Sequence, residues 1–183
     1  NHLGSWLGLE EARTSSWVTK HRVLFEAMYQ RSNYLFGYFE KSFLDVYNEK
    51  GEKIEEKVSY DKVHRLGLWH KGVHVWLIDS NNNFLIQRRS NKVHTSAGLL
   101  ENTAGGHIES GYTSIETAIR ELEEETGIIV LVQDVEYVGT IVDSFVQLDG
   151  IIKNNEFDDV YVVRKDIVLE SLKISLNEVL ELL

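Results

Sequence analysis

Residues 106–128 read GHIESGYTSIETAIRELEEETGI, and this stretch predicts a glycine-led loop followed by a helix. From Thr113 to Thr126 the apolar residues recur at i, i+3, i+4 and i+7, the spacing of one buried helix face. They are Ile115, Ala118, Ile119 and Leu122. Gly127 follows, and glycine commonly ends a helix. The stretch therefore predicts a helix over 113–126 with one face in the core.

A second face of this helix carries three acidic residues, Glu121, Glu124 and Glu125. Residues with this spacing lie side by side, so their carboxylates repel by about 0.2–0.5 kcal/mol per pair when exposed. Solvent and Arg120 could offset that cost, and one interpretation is therefore a solvated charged face. The Gly-Gly pair at 105–106 favours a ligand site instead, because glycines let backbone groups approach a ligand closely.

Three carboxylates that converge beside such a loop form an all-oxygen site, which Mg²⁺ and Mn²⁺ prefer. A cation held there can neutralise a diphosphate, polarise the phosphorus and lower the pKa of a bound water. A neighbouring glutamate can then accept the proton of that water. The residues by themselves thus indicate metal-dependent phosphate chemistry.

The same stretch resembles the Nudix box, G-x5-E-x7-R-E-U-x-E-E-x-G-U, in which U is aliphatic. Eight of the nine specified positions agree, namely Gly106, Arg120, Glu121, Leu122, Glu124, Glu125, Gly127 and Ile128. The resemblance extends from about Phe43 onward and includes LIQRRS at 85–90 and NEFDDVYVV at 155–163. It is similar in particular to the subgroup related to isopentenyl-diphosphate isomerase, and it does not cover residues 1–40.

The resemblance implies an α/β fold, a Nudix-type α/β/α sandwich with a mixed sheet. It also implies hydrolysis of a diphosphate linkage in a small X-diphosphate-Y compound, with nucleotide derivatives among the candidates, by water attack at phosphorus. The metal, Mg²⁺ or Mn²⁺, would be held by Glu121, Glu124, Glu125 and the Gly106 carbonyl. Arg120, Glu121 and Glu124 form the implied catalytic set, in which Arg120 orients the carboxylates and a glutamate serves as base.

The sequence departs from the box at Tyr112, which stands where the first Glu is expected. A phenol, with a pKa near about 10, supplies no carboxylate at neutral pH. Glu109 or Glu116 could compensate for this loss. An alternative interpretation is a catalytically weak or silent Nudix-fold module that binds a phosphorylated ligand without turnover.

Two further groups of residues are candidates for the site. Arg88 and Arg89 end a predicted strand and could bind substrate phosphates, although adjacent strand residues point to opposite faces and at most one would reach the site. Glu156, Asp158 and Asp159 form a second acidic cluster, for which a solvated loop is an equally good interpretation.

Three histidines, His70, His74 and His107, invite comparison with isopentenyl-diphosphate isomerases, which bind metal partly through histidines. The isomerases that this chain resembles carry a catalytic cysteine near the position of Gly105, and this chain has no cysteine. An isomerase activity is therefore the third alternative. His74 lies in an apolar strand, where a core or edge role is the more common one.

The pattern along the chain predicts a helical extension over residues 1–40 and a Nudix-like domain over residues 41–183. In the domain it predicts strands at Phe43–Tyr47, Lys53–Val58, Val73–Asp79, Phe84–Gln87, Ile128–Val132, Tyr137–Phe145 and Val160–Arg164, and a closing helix at Leu176–Leu183.

The composition excludes several classes of function. A net charge of −10 and a pI near 5.2 argue against binding nucleic acid polymers or anionic lipid. The longest apolar run has five residues, 128–132, whereas a bilayer span needs about 20. The absence of cysteine excludes disulfides and fits a reducing compartment. We therefore expect a cytoplasmic protein that acts on a small diphosphate compound, as a monomer or a homodimer.

Overall fold

The computed structural model describes residues 42–93, 96–147 and 152–183. The helical extension predicted over residues 1–40 lies outside these residues. The division of the chain into an extension and a domain beginning at residue 41 therefore stays a prediction.

The described residues contain ten strands, which form a seven-stranded main sheet and a three-stranded second sheet. The strands are β1 (Phe43–Tyr47), β2 (Lys53–Ser59), β3 (Trp69–Ile78), β4 (Phe84–Leu85), β5 (Gln87–Arg89), β6 (Leu100–Glu101), β7 (Ala104–His107), β8 (Val135–Gln147), β9 (Ile152–Arg164) and β10 (Val179–Leu182). The main sheet has the order β2-β1-β3-β9-β8, with β4 and β7 also paired to β3, and the second sheet has the order β10-β5-β6. Strand β3 is parallel to β9 and antiparallel to its other partners, so the main sheet is mixed.

In the described ranges, two α-helices cover the main sheet, α1 (Tyr60–Leu66) and α2 (Ser114–Thr126). Successive residues of a strand point to opposite faces, and Val73 and Val75 of β3 share a core with α2. His70 therefore lies on the other face, where its ring contacts that of His64 in α1. The α/β/α arrangement of a mixed sheet between helices confirms the predicted fold class. In the described part of the chain, no helix is long and apolar enough to cross a membrane.

Helix α2 confirms the helix predicted over residues 113–126. Thr113 and Glu116 form a reciprocal capping box at its start, and Gly127 ends it with a left-handed φ of 74°. Ala118 and Leu122 are almost fully buried in the core beneath the sheet. The packing of the apolar face therefore determines the orientation of α2, and with it the position of the acidic residues.

Most predicted strands are confirmed, with three corrections. The strand predicted at Phe84–Gln87 is divided at Ile86, so that Phe84–Leu85 pairs with β3 as β4 and Gln87 begins β5 of the second sheet. Residues 128–132 form no strand, because the segment finds no pairing partner among the described residues and continues into the 3-10 turn Val132–Asp134. The closing helix predicted at Leu176–Leu183 is wrong, because Val179–Leu182 pairs antiparallel with β5 as β10. The strand predicted at Val160–Arg164 is the second half of β9.

Candidate active site

Two glycines of β7 bring the backbone against the acidic face of α2. The Gly105 N–H donates to Oε2 of Glu125, with an N···O distance of 3.3 Å. A Cβ at Gly106 would lie 2.6 Å from the carboxylate carbon of Glu121, closer than side chains tolerate. The packing thus favours glycine at 106, since any larger residue would displace this carboxylate. The close approach of the glycine pair to a ligand stays a prediction.

Glu125 is the most buried of the three glutamates, with 5% of its surface exposed. Its Oε2 accepts a second hydrogen bond from Nε2 of Gln87 at 2.9 Å. Burial raises the pKa of Glu125 well above its ordinary value, and the negative charges of Glu121 and Glu101 raise it further. No ion pair involving Glu125 occurs among the described residues, so it is a buried acid without a cationic partner.

Glu121 lies beside Glu125 and is also largely buried. Burial raises its pKa to about 7, Arg120 acts in the opposite direction, and Glu124 raises the pKa further. Arg120 Nη2 donates to Oε1 of Glu121 at 2.9 Å. Glu124 is exposed, and its carboxylate lies 4.0 Å from Nη1 of Arg120. The fold thus brings Glu121 and Glu125 together and leaves Glu124 at the rim.

Arg120 lies close to Tyr112, the residue that departs from the Nudix box, and to Glu109. Its guanidinium carbon lies 5.5 Å from the ring centre of Tyr112, and Nη1 lies 3.8 Å from Oε1 of Glu109. Among the described residues, Nε of Arg120 is buried without an acceptor. Glu116, the other residue that could compensate, is bound by Thr113 in the capping box.

The two arginines of β5 differ in how their hydrogen bonds connect them to the glutamates of α2. Nε of Arg88 pairs with Glu181 of β10 at 2.5 Å. Nη1 of Arg89 donates to Oε1 of Glu101 at 2.6 Å, and that oxygen also accepts from Gln87 at 3.0 Å. Because Gln87 bonds Glu125 as well, Arg89 is connected to the acidic site through two residues, whereas Arg88 pairs at the β10 side.

A second cluster lies on the opposite face of the sheet. His64, His70 and His107 place one ligand atom each within 4.8 Å of the others, and they are the one such group of three potential metal ligands in the described part of the chain. Glu156 Oε1 lies 3.2 Å from Nε2 of His70 and 3.0 Å from Nε2 of His107. These four residues, called the imidazole cluster below, combine three nitrogens with one carboxylate.

Backbone contacts orient two of these imidazoles. Nδ1 of His64 lies 2.9 Å from the carbonyl of Tyr60, and Nδ1 of His70 lies 2.9 Å from that of Leu68. A carbonyl can only accept, so Nδ1 carries a proton in both rings, and Nε2 of His64 keeps the lone pair that a metal needs. Burial, together with the neighbouring His107 and His70, lowers the pKa of His64 to about 3, which keeps it neutral.

The second acidic cluster is part of a strand, which corrects the interpretation of a solvated loop. Glu156, Asp158 and Asp159 lie in β9, and Asp158 is 2% exposed. Burial and the charge of Glu156 raise the pKa of Asp158 to about 7. Asp158 Oδ2 lies 3.9 Å from Nε2 of His74, and Asp159 accepts from Thr140 at 2.6 Å. His74 is half-buried on β3 beside this strand.

Sequence reasoning missed His64, Gln87 and Glu101. His64 stands on α1, a seven-residue helix that the apolar pattern did not indicate. Gln87 and Glu101 face each other across the β5–β6 pair. No local spacing marks these residues, because Gln87 and Glu101 meet through strand pairing and His64 joins its cluster through a ring contact between α1 and β3.

A mixed sheet between helices, with a glycine-led loop that delivers an acidic helix, defines the Nudix class of fold. The family model described as NUDIX domain matches residues 68–180, so the chain belongs to the Nudix family. The crystal structure of DR0079 from Deinococcus radiodurans is similar, with a TM-score of 0.56 at 25% identity over 76% of this chain and 80% of that one.

Two curated relatives illustrate the range of the family. The chain is 36% identical to Nudix hydrolase 3 of Arabidopsis thaliana over 138 residues, which are 74% of this chain and 18% of that protein. It is 33% identical to isopentenyl-diphosphate Delta-isomerase of Serratia proteamaculans over 107 residues, 57% of this chain and 56% of that one. The chain thus spans less than two thirds of either relative, and the second confirms the resemblance to the isomerase subgroup.

Proposed function

We propose that this chain is a divalent-metal-dependent hydrolase that cleaves the diphosphate linkage of a small X-diphosphate-Y compound. The observation that carries the proposal is Glu125, a buried carboxylate beside Glu121 with no cationic side chain paired to it among the described residues. A buried charge without a partner is costly, and the group is protonated unless a cation offsets that cost. A divalent ion is the simplest such cation.

The residues present fit a hard metal ion. Glu121, Glu124, Glu125 and the carbonyl of Gly106 would hold Mg²⁺ or Mn²⁺, since all are oxygen donors. The tight contact between Gly106 and Glu121 supports this set, because it keeps the backbone next to the carboxylates. When bound, the ion would neutralise the diphosphate and lower the pKa of an attacking water.

The side chains of the site have separable roles in this proposal. Glu121 has a pKa of about 7, which suits a general base near neutral pH. Glu124, exposed at the rim, is the second candidate for the base. Arg120 donates to Glu121 and limits the repulsion between the carboxylates. Arg89 and Arg88 are proposed to bind substrate phosphates, with Arg89 favoured by its connection to the site through Glu101.

The experiment measures phosphate or monophosphate release from a panel of nucleoside diphosphate derivatives, with Mg²⁺ and with a chelator. Glu125→Gln should lose activity, whereas Glu123→Gln, an exposed residue of the same helix, removes one charge and should not. Turnover that is unchanged by the chelator and by Glu125→Gln would refute the proposal. A cytoplasmic location and a monomeric or homodimeric state remain predictions of the sequence.

A second candidate function is an isomerase-like activity on a diphosphate ester, and the imidazole cluster favours it. The cluster supplies nitrogen donors beside an acid, Asp158, with a pKa of about 7 that could deliver a proton. Gly105 stands near the position at which the isomerases that this chain resembles carry a catalytic cysteine, and this chain has no cysteine. Incubation with isopentenyl diphosphate distinguishes the candidates: an allylic product supports isomerisation, and release of phosphate supports hydrolysis.

The third candidate is a silent binding module, which Tyr112 favours because it removes one carboxylate from the box. A diphosphate analogue would then bind with metal, and no substrate of the panel would be cleaved. Tyr112→Glu separates this candidate from a competent enzyme. A large gain from an undetectable baseline supports the silent module, whereas a small change supports the hydrolase.

A further inference from the structure

Arg120 connects the outer acids of the site to the inner ones. Nη2 donates to Glu121 at 2.9 Å, while Nη1 lies 3.8 Å from Glu109 and 4.0 Å from Glu124. Its guanidinium is therefore in contact with a buried acid on one side and with partly exposed acids on the other. The position of the Arg120 guanidinium therefore determines how strongly its positive charge stabilises the Glu121 carboxylate.

Tyr112 offers the Arg120 guanidinium an aromatic ring, whereas a glutamate at this position would offer a carboxylate. Its ring attracts the guanidinium through the aromatic face. A ring face presents no carboxylate oxygen, and among the described residues Nε of Arg120 is buried without an acceptor. The guanidinium is therefore held through Nη1 and Nη2, by the acids that lie within 4.0 Å of these atoms.

The backbone around Glu109 is hydrogen-bonded to two strands of the main sheet. Its neighbours Ile108 and Ser110 donate N–H bonds to Lys71 O at 2.9 Å and Phe43 O at 2.7 Å, which ties the loop to β3 and β1. Glu109 itself forms an isolated bridge with Leu44. The backbone that carries this carboxylate is therefore anchored to both strands.

We propose that Glu109 is a positioning residue that replaces the missing box glutamate and holds Arg120 against Glu121. The inference rests on the proposed function, since Glu121 is the metal-binding and base candidate there. Glu116 cannot share the task, because its carboxylate is bound by Thr113. A glutamate introduced at 112 should therefore substitute for Glu109.

The first test titrates Mn²⁺ alone into the full chain by calorimetry. Loss of a group that orients a ligand typically weakens metal binding about 10- to 100-fold, and we expect about 10-fold for Glu109→Gln. Adding Tyr112→Glu to that variant should restore the affinity to within about 3-fold of the starting protein. Glu123→Gln, the same charge change on the exposed side of α2, should leave it unchanged.

The second test needs no metal. Nitrogen NMR of the Arg120 side chain, assigned by its loss in Arg120→Lys, reports rotation of the guanidinium. Rotation should be restricted in the starting protein, faster in Glu109→Gln, and restricted again in the double variant. Equal restriction in Glu109→Gln and Glu123→Gln, or no recovery in the double variant, would overturn the proposal. If Arg120 behaves as expected and no Mn²⁺ binds, the proposed function fails while the role of Glu109 stands.

Discussion

The two faces of the main sheet carry two clusters of potential ligands with different chemistry. Gly106 and His107 are neighbours in β7, yet the first lies against Glu121 on the α2 face and the second contacts Glu156 on the α1 face. The α2 face offers oxygen donors and the α1 face mainly nitrogen donors. Hard ions such as Mg²⁺ prefer the former, and Zn²⁺, Fe²⁺ or Co²⁺ accept the latter.

Charge balance separates the two clusters more clearly than donor type does. His107 and His70 hold the pKa of Glu156 well below its ordinary value, despite burial, which alone would raise it. Glu125 has no such partner, and burial raises its pKa. The imidazole cluster therefore balances its own charge, whereas the carboxylates of α2 need a cation from outside the chain.

The largest expected effect tests which cluster does the chemistry. Glu125→Gln should lower diphosphate hydrolysis about 1,000-fold, within the range for loss of a group that activates water. Its thermal midpoint should hold or rise, because glutamine is neutral at every pH and keeps an oxygen that accepts hydrogen bonds. Steady-state rates and thermal unfolding, with Glu123→Gln as control, check this. A variant that unfolds, or one that stays active, would contradict the assignment.

The second effect is a pH dependence of stability without metal. Glu121 has a folded pKa of about 7, above its unfolded value of 4.5. The folded state therefore keeps a proton that the unfolded chain releases, and stability falls as pH rises from about 4.5 to about 7, by up to about 3 kcal/mol. Denaturant unfolding in chelator should show this fall in the starting protein and a smaller one in Glu121→Gln. An equal fall in stability with pH in the two proteins would show that Glu121 titrates normally.

The part of the site that was predictable from the sequence is the part built by one helix. The i, i+3, i+4 spacing places Glu121, Glu124 and Glu125 on one side of α2 whatever the rest of the fold does. The segment Leu176–Leu183 shows the limit of such spacing. Leu176, Val179, Leu180 and Leu183 also follow a helical period, but pairing with β5 turns the segment into β10.

The imidazole cluster could not be predicted as a unit. Its members come from α1, β3, β7 and β9, and the register that sets His70 beside Glu156 is a parallel pairing between strands far apart in the chain. Sequence reasoning found His70 and His107 only through the resemblance to the isomerases. His64 joins them because its ring packs 4.8 Å from that of His70, a contact with no sequence signal.

The third effect tests whether the two clusters are independent. His70→Asn should weaken Co²⁺ binding at the imidazole cluster about 10- to 100-fold, judged by visible absorption. Hydrolysis supported by Mg²⁺ should change far less than in Glu125→Gln, because His70 faces away from α2. Equal losses in the two variants would mean that both faces form one site.

The smallest effect concerns a glutamate of α2 that is structural. Glu116→Ala removes half of the capping box with Thr113 and should cost about 0.5–1 kcal/mol of stability. Activity per folded molecule should not change, which sets Glu116 apart from Glu121 and Glu125. Denaturant midpoints and rates measured on the same sample check both expectations, and a specific loss of rate would place Glu116 in the site.

The central claim is that carboxylates on α2 direct water to phosphorus. The most direct measurement follows the fate of ¹⁸O-labelled water by phosphorus NMR and mass spectrometry, using the best diphosphate substrate of the panel with Mg²⁺. The account predicts ¹⁸O in a phosphate product of the starting protein and no such product from Glu125→Gln. Label in the non-phosphate product, or an isomer formed without any label, would contradict it.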